Sequence, residues 1–137
     1  MGSSHRPRKR FGQHFLHDPG TLARIVRAIA PQPDQHLIEI GPGQGALTEL
    51  IIDHVKQLDA VEIDRDLVQH LQQQFTQDHF ILHESDALEF DFAQLTQQQP
   101  VRIIGNLPYN ISTPLLFRLY DYAENIIDMH FLLQKEV

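Results

Sequence analysis

The 137-residue chain contains no cysteine. That excludes a disulfide framework and any thiolate metal site, and it suits a reducing compartment. Long apolar runs are missing too. Polar residues interrupt every hydrophobic stretch well short of the roughly 20 residues a membrane span needs. The N-terminus lacks the apolar stretch of a secretory signal. None of the nine histidines pairs with another at a recognised ligand spacing, so no metal is expected. What is present, 42% hydrophobic residues, suits a folded domain, because disorder requires low hydrophobicity together with high charge. The length leaves room for one domain with one core. A cytoplasmic domain with no membrane attachment is the expectation.

The formal net charge of −7 argues against a nucleic-acid partner until its distribution is considered. The first ten residues hold Arg6, Arg8, Lys9 and Arg10 and no acid. The remainder has seven basic against eighteen acidic side chains, a net of −11. A basic arm on an acidic body places cations beside phosphates.

Hydrophobic periodicity alternates between strand and helix along the chain. Asp18-Pro19 reads as a helix start, and Leu22, Ile25, Val26 and Ile29 recur at helical spacing until Pro31. Leu37–Ile40 is a short strand running into Gly41-Pro42-Gly43-Gln44-Gly45, with a helix over Ala46–Val55. Ala60–Ile63 is a second strand, followed by a helix carrying Leu67, Val68, Leu71 and Phe75. Phe80–Leu82 is a third, ending near Asp86, and Val101–Ile104 a fourth, ending at Gly105-Asn106-Leu107-Pro108-Tyr109. Ser112-Thr113-Pro114 reads as the cap of another helix, with Leu115, Leu116 and Leu119 inward, and Ile127–Leu133 as a fifth strand. Such alternation predicts an α/β fold, a mostly parallel sheet with helices on both faces. Ligands of these sheets lie beyond the C-terminal ends of the strands.

Gly41, Gly43 and Gly45 stand between a strand and a helix, where bare backbone turns tightly and lets a ligand lie against it. Glu62 ends the next strand, 21 residues after Gly41, where a carboxylate accepts from the two hydroxyls of a ribose. Nucleotide-type binding follows, but the glycine spacing also satisfies the G-x-G-x-x-A pattern of NAD enzymes. Two carboxylates favour S-adenosylmethionine. Glu39 precedes the glycines, suited to a cationic methionine end, and Asp86 is placed to accept from an adenine amino group.

Asn106-Leu107-Pro108-Tyr109, running on into Asn110-Ile111-Ser112-Thr113-Pro114-Leu115, resembles the KsgA-type ribosomal RNA adenine dimethyltransferases. Gln13-His14-Phe15-Leu16 is similar to the same family's N-terminal cofactor segment, and Phe131–Val137 to its fifth-strand region. The resemblance spans the chain after Arg6. It implies a Rossmann-like class I methyltransferase that transfers methyl groups from S-adenosylmethionine, without a metal, to adenines of small-subunit ribosomal RNA. The expected partners are that RNA and the pre-ribosomal small subunit, not DNA.

Carrying the family's contacts over assigns cofactor binding to His14, Leu16, Gly41, Gly43, Glu62, Asp86 and Asn106. His14 stands where the family commonly has asparagine, and an imidazole still donates one hydrogen bond. Asn106, Pro108 and Tyr109 are the implied catalytic residues. An adenine amino nitrogen is a poor nucleophile because its lone pair is delocalised into the ring. Two acceptors that take its hydrogens, the Asn106 side-chain oxygen and the carbonyl of Leu107 or Pro108, hold it pyramidal. Pro108 stiffens the loop, and Tyr109 offers a face for an extruded base.

Two units are expected: residues 1–17, a basic arm with the cofactor-contacting segment, and residues 18–137, the Rossmann-like domain. The resemblance implies that the sheet is truncated after the fifth strand, that the family's C-terminal helical domain is absent, and that such a piece is inactive alone. Two other classes stay open at this point. An NAD-dependent oxidoreductase fits the glycine loop, and a non-catalytic RNA-binding module fits the basic arm.

Overall fold

A computed structural model describes residues 18–134. Helix α1 (Pro19–Ile29) begins where Asp18 Oδ1 accepts from the Gly20 amide at 3.0 Å. It stops because Ala30 precedes Pro31, whose ring disfavours the helical conformation one residue upstream. Ala30 turns left-handed, with φ 47°. Then follow β1 (His36–Ile40), α2 (Ala46–Ile51), a 3-10 turn (Ile52–His54), β2 (Gln57–Glu62), α3 (Arg65–Gln74) and β3 (Phe80–Glu84). The short α4 (Ala93–Thr96), β4 (Val101–Pro108), α5 (Tyr109–Tyr120), a 3-10 turn (Ala123–Asn125) and β5 (Ile126–Gln134) complete the described chain.

All five strands are parallel, in the order β3-β2-β1-β4-β5. Parallel strands are covered on both faces, and β1 and β2 are accordingly buried almost throughout, their polar positions included. Ile38, Ile40, Val61, Ile103 and Leu107 point to one face, under Leu115 and Leu119 of α5 and Phe90 and Phe92. Leu37, Leu58 and Ile104 point to the other, against Ile29, Leu47, Ile51, Leu71 and Phe75 of the first three helices and their ends. The α/β architecture expected from the sequence is the one observed.

Two boundaries and one inward position differ from expectation. The helix expected over Ala46–Val55 tightens into a 3-10 turn at Ile52. The helix after β4 starts at Tyr109, not after Ser112-Thr113-Pro114. The chain leaves β4 directly into a helical turn, and the Ser112 hydroxyl donates to the Tyr109 carbonyl at 2.8 Å instead of capping. Leu116, expected inward, is 41% exposed, while Leu115 and Leu119 are buried. Among the described residues no helix is long and apolar enough to cross a membrane.

Buried charge ties strands together away from the ligand edge. Asp59, fully buried on β2, accepts from His36 on β1, His83 on β3 and Gln57, each at 2.7 Å. Burial is the largest influence and opposes ionisation, but the three hydrogen bonds outweigh it and hold the carboxyl down at about 2. A depressed carboxyl contributes stability that is complete above its unfolded value and disappears as pH falls toward the folded one. Between pH 5 and pH 3 the wild type should therefore lose about 1 kcal/mol more than Asp59→Asn. Urea midpoints at the two pH values measure this; equal losses would place the acid sensitivity elsewhere.

Candidate functional site

The strand order reverses direction between β1 and β4, and the C-terminal ends there form the crevice in which sheets of this kind hold ligands. Gly41 leaves β1 with φ 66°, in the left-handed region where a side chain is strained. Its amide donates to the Val61 carbonyl at 2.9 Å. A Cβ built on it would sit 3.5 Å from the Asn106 carbonyl, so the loop's backbone lies directly against the end of β4. Gly45, with φ 89°, is closed to side chains for a second reason: a Cβ there would meet the Phe75 ring at 2.6 Å. Only glycine lets α2 start this close to the end of α3.

Glu62 ends β2 and is buried. Its Oε1 accepts from the Gly43 amide at 3.2 Å and its Oε2 from the Asp64 amide at 3.0 Å. The carboxylate thus anchors the middle of the glycine loop, and each oxygen keeps lone-pair capacity toward the crevice. Burial pushes its carboxyl up from the ordinary value, against the pull of those amides.

Glu39, two residues before Gly41, is also buried and shares a sheet face with Leu37. Its Oε1 accepts from the Thr48 hydroxyl of α2 at 2.5 Å, the one hydrogen bond it makes among the described residues. Burial, reinforced by the nearby Glu62 charge and countered by Thr48, pushes this carboxyl up to about 7. Sequence reasoning did not single out Thr48. Its only signal is a threonine on the inward side of a helix, where a buried hydroxyl needs a partner.

On the other side of Gly41, Asn106 lies in the last turns of β4, paired with Leu132 of β5. Its Oδ1 is buried and has no hydrogen-bond partner among the described residues. An orphaned buried carbonyl costs about 1–3 kcal/mol, which a protein recovers when a ligand donates to it. Pro108 caps α5 with φ −59°, and Tyr109 opens that helix, 65% exposed.

Asp86 sits two residues beyond β3, in a loop tied to β2 by the Ser85 amide bond to the Glu62 carbonyl at 3.0 Å. Asp86 Oδ1 accepts from the Leu88 amide at 2.9 Å, so the side chain shapes its own turn. Its Oδ2 takes no hydrogen bond among the described residues. Gly41, Gly43, Glu62, Asp86, Asn106, Pro108 and Tyr109 are therefore all carried at the C-terminal ends of β1 to β4. His14, Leu16 and the basic arm lie outside the described residues. Among the described residues no group of three His, Cys, Asp or Glu side chains is disposed to hold a metal ion.

Residues 4–137 match a family model described as ribosomal RNA adenine dimethylase. The ribosomal RNA small subunit methyltransferase A of Chromohalobacter salexigens is 58% identical over 140 residues, covering 98% of this chain and 50% of that protein. The protein of the same name from Pseudomonas putida is 58% identical over 135 residues, covering 97% and 51%. The chain spans about half the length of the curated relatives it matches. Among solved structures, the 23S rRNA methyltransferase ErmE superposes with a TM-score of 0.71 at 28% identity, over 82% of this chain and 44% of that one. A dimethyladenosine transferase from Plasmodium falciparum gives a TM-score of 0.67 at 26% identity, over 76% and 37%.

Proposed function

The chain belongs to the ribosomal RNA adenine dimethylase family, and from that premise we propose that it is the cofactor-binding and catalytic part of a small-subunit ribosomal RNA adenine N6-dimethyltransferase. The single observation that carries this reading is Asn106 Oδ1, a buried acceptor with no donor among the described residues, on a residue whose backbone carbonyl lies against the glycine loop at the strand-order reversal. An adenine amino group is a donor of the kind that atom lacks.

S-adenosylmethionine fits the residues present. The bare Gly41–Gly45 backbone leaves room for it, Glu62 accepts from ribose hydroxyls, and Asp86 Oδ2 accepts from its adenine amino group. When bound it supplies an electrophilic methyl group, so this chain has no need of a strong base. Asn106 Oδ1, with the carbonyl of Leu107 or Pro108, takes the hydrogens of the target amino group and aims its lone pair. Tyr109, exposed at the crevice mouth, stacks on the extruded base, worth about 1–3 kcal/mol. Positioning in line supplies much of the acceleration.

Residues 18–137 form the Rossmann-like unit in this reading. Residues 1–17 add His14 and Leu16 to the cofactor site and a basic arm for the RNA. The substrate places the protein in the cytoplasm with the pre-ribosomal small subunit. A dehydrogenase has only the glycine spacing in its favour and gives no role to Asn106–Tyr109. A purely RNA-binding module gives none to Glu62 and the loop it anchors.

Calorimetric titration with S-adenosylhomocysteine and with NAD tests the reading. The first should bind and the second should not. Glu62→Ala should weaken S-adenosylhomocysteine by about 1.5–3 kcal/mol, the worth of hydrogen bonds to a charged group. Preference for NAD would overturn the assignment, and unchanged affinity in the variant would remove Glu62 from the ribose.

A further inference from the structure

Arg118 has no task in the chemistry above, yet it joins two parts of the site. It lies on α5, the helix that Tyr109 opens, and its Nη2 donates to the Phe90 carbonyl, 28 residues back along the chain. Its Nε is buried and has no partner among the described residues. A buried donor without a partner is costly, so an arginine is a poor choice for filling this space alone. Phe90 closes the turn that begins at Asp86. The Asp86 carbonyl accepts from the Glu89 and Phe90 amides, each at 2.9 Å, and Asp86 Oδ1 accepts from the Leu88 amide at 2.9 Å. Residues 86–90 thus form one hydrogen-bonded unit, tied at both ends. At its start the Ser85 amide donates to the Glu62 carbonyl of β2; at its end Arg118 holds the Phe90 carbonyl. The Phe90 ring is buried beside Phe92 and His83. That burial keeps the ring in the core, but apolar contact is not directional and leaves the orientation of the turn to its hydrogen bonds.

We propose that Arg118 is a positioning residue for adenine recognition: by holding the Phe90 carbonyl it fixes the turn whose Asp86 accepts from the nucleoside's amino group. The inference rests on the cofactor reading above. Arg118 acts through the backbone of the turn and not on the nucleoside itself. It also ties that turn to the helix opened by Tyr109, so the adenine end of the cofactor and the stacking face for the target base share one frame. A hydrogen bond weakens steeply as its angle departs from linear. A turn free to rotate therefore loses the amino contact first, while Glu62 and the glycine loop keep the rest of the nucleoside.

The test compares S-adenosylhomocysteine with its 6-deamino analogue, in which hydrogen replaces the adenine amino group. Each is titrated calorimetrically into the 137-residue chain. The wild type should prefer S-adenosylhomocysteine by about 10- to 100-fold, the worth of one hydrogen bond to a charged acceptor. Arg118→Met keeps the apolar stem and removes the donors. It should cut the preference to less than about threefold, with affinity for the deamino analogue within about twofold of wild type. Arg118→Lys should restore most of the preference, because one donor atom makes the bond and an ammonium supplies one. Arg118→Gln, polar but too short to reach the Phe90 carbonyl, is the second variant and should behave as Arg118→Met does. Urea midpoints establish that each variant is folded. Equal loss of affinity for both ligands, with the preference unchanged, makes Arg118 a general structural residue; it overturns the proposal and leaves the cofactor reading intact. A wild type that does not distinguish the two ligands removes Asp86 from the adenine, and the proposal falls with it. Failure of both ligands to bind overturns the cofactor reading itself.

Discussion

Asn106→Ala should lower single-turnover methyl transfer to adenine by about 100- to 1,000-fold, the range seen when one preorganised transition-state partner is removed. S-adenosylhomocysteine affinity should change far less. The variant is to be measured in a version of the chain extended to the relatives' length, with small ribosomal subunits as substrate and labelled product nucleosides resolved. The asymmetry follows from where Oδ1 is. It is buried and without a partner among the described residues, so its hydrogen bond forms when the amino group enters. An interaction made chiefly in the transition state is lost from kcat and not from ground-state binding. Tyr109→Ala should instead weaken substrate docking, with Tyr109→Phe close to wild type, since a 65%-exposed ring acts through its face. Near-normal turnover in Asn106→Ala, or methylation of a base other than adenine, would sink the assignment.

Arg102→Ala carries the largest expected loss of stability, about 3 kcal/mol, a large share of the 5–15 kcal/mol typical of a domain. Arg102 is 5% exposed and lies in β4 near the end remote from the crevice. Its Nε and Nη2 donate to the two carboxylate oxygens of Asp128 on β5 at 2.8 and 3.1 Å. Nη2 also donates to the Ile29 carbonyl, and Nη1 to Gln35 Oε1 at 2.8 Å and the Ala30 carbonyl at 3.4 Å. One guanidinium thus satisfies the C-terminal carbonyls of α1 and joins that helix to β4 and β5. The bond from Arg102 is the main reason the Asp128 carboxyl lies below its usual value. A β-bulge makes the pair: Val101 is opposite Ile126 but Arg102 is opposite Asp128, with Ile127 skipped. Truncation leaves several buried acceptors without donors, whereas Asp128, partly exposed, recovers some solvation. A thermal midpoint lower by about 10 °C is the expected reading for a domain of this size. Arg102→Lys should recover little, because a compact ammonium cannot reproduce the planar fork. A loss under about 1 kcal/mol would show that α1 is held by its apolar face alone.

Much of the site was legible because its signals are local in the chain. Gly41 to Gly45 read as a strand-to-helix loop from their own spacing, and Glu62 as the acid of the next strand. Asn106–Tyr109 read as a strand end because the apolar run stops there. Helix α5 was misplaced for an equally local reason. Ser112-Thr113-Pro114 has the composition of an N-cap, yet the proline lies inside the helix. Its missing amide forfeits only the helical bond to the Asn110 carbonyl, and packing of Leu115 and Leu119 on the sheet outweighs that loss. Glu39 was read as a cation-facing carboxylate from its position, but nothing in the sequence distinguishes a solvated glutamate from a buried one.

The chain by itself determined the alternation of strands and helices, the loop that only glycine permits, and which residues fall at the strand ends. Each depends on periodicities and backbone limits that act over a few residues. Tertiary structure alone decided the charge state of the carboxyls and the clamps that hold the sheet together. Thr48 reaches Glu39 across 9 residues of chain, His83 reaches Asp59 across 24, and Arg102 reaches Asp128 across 26. Strand order, register and a single bulge bring these pairs together, and desolvation there sets energies that no local pattern encodes.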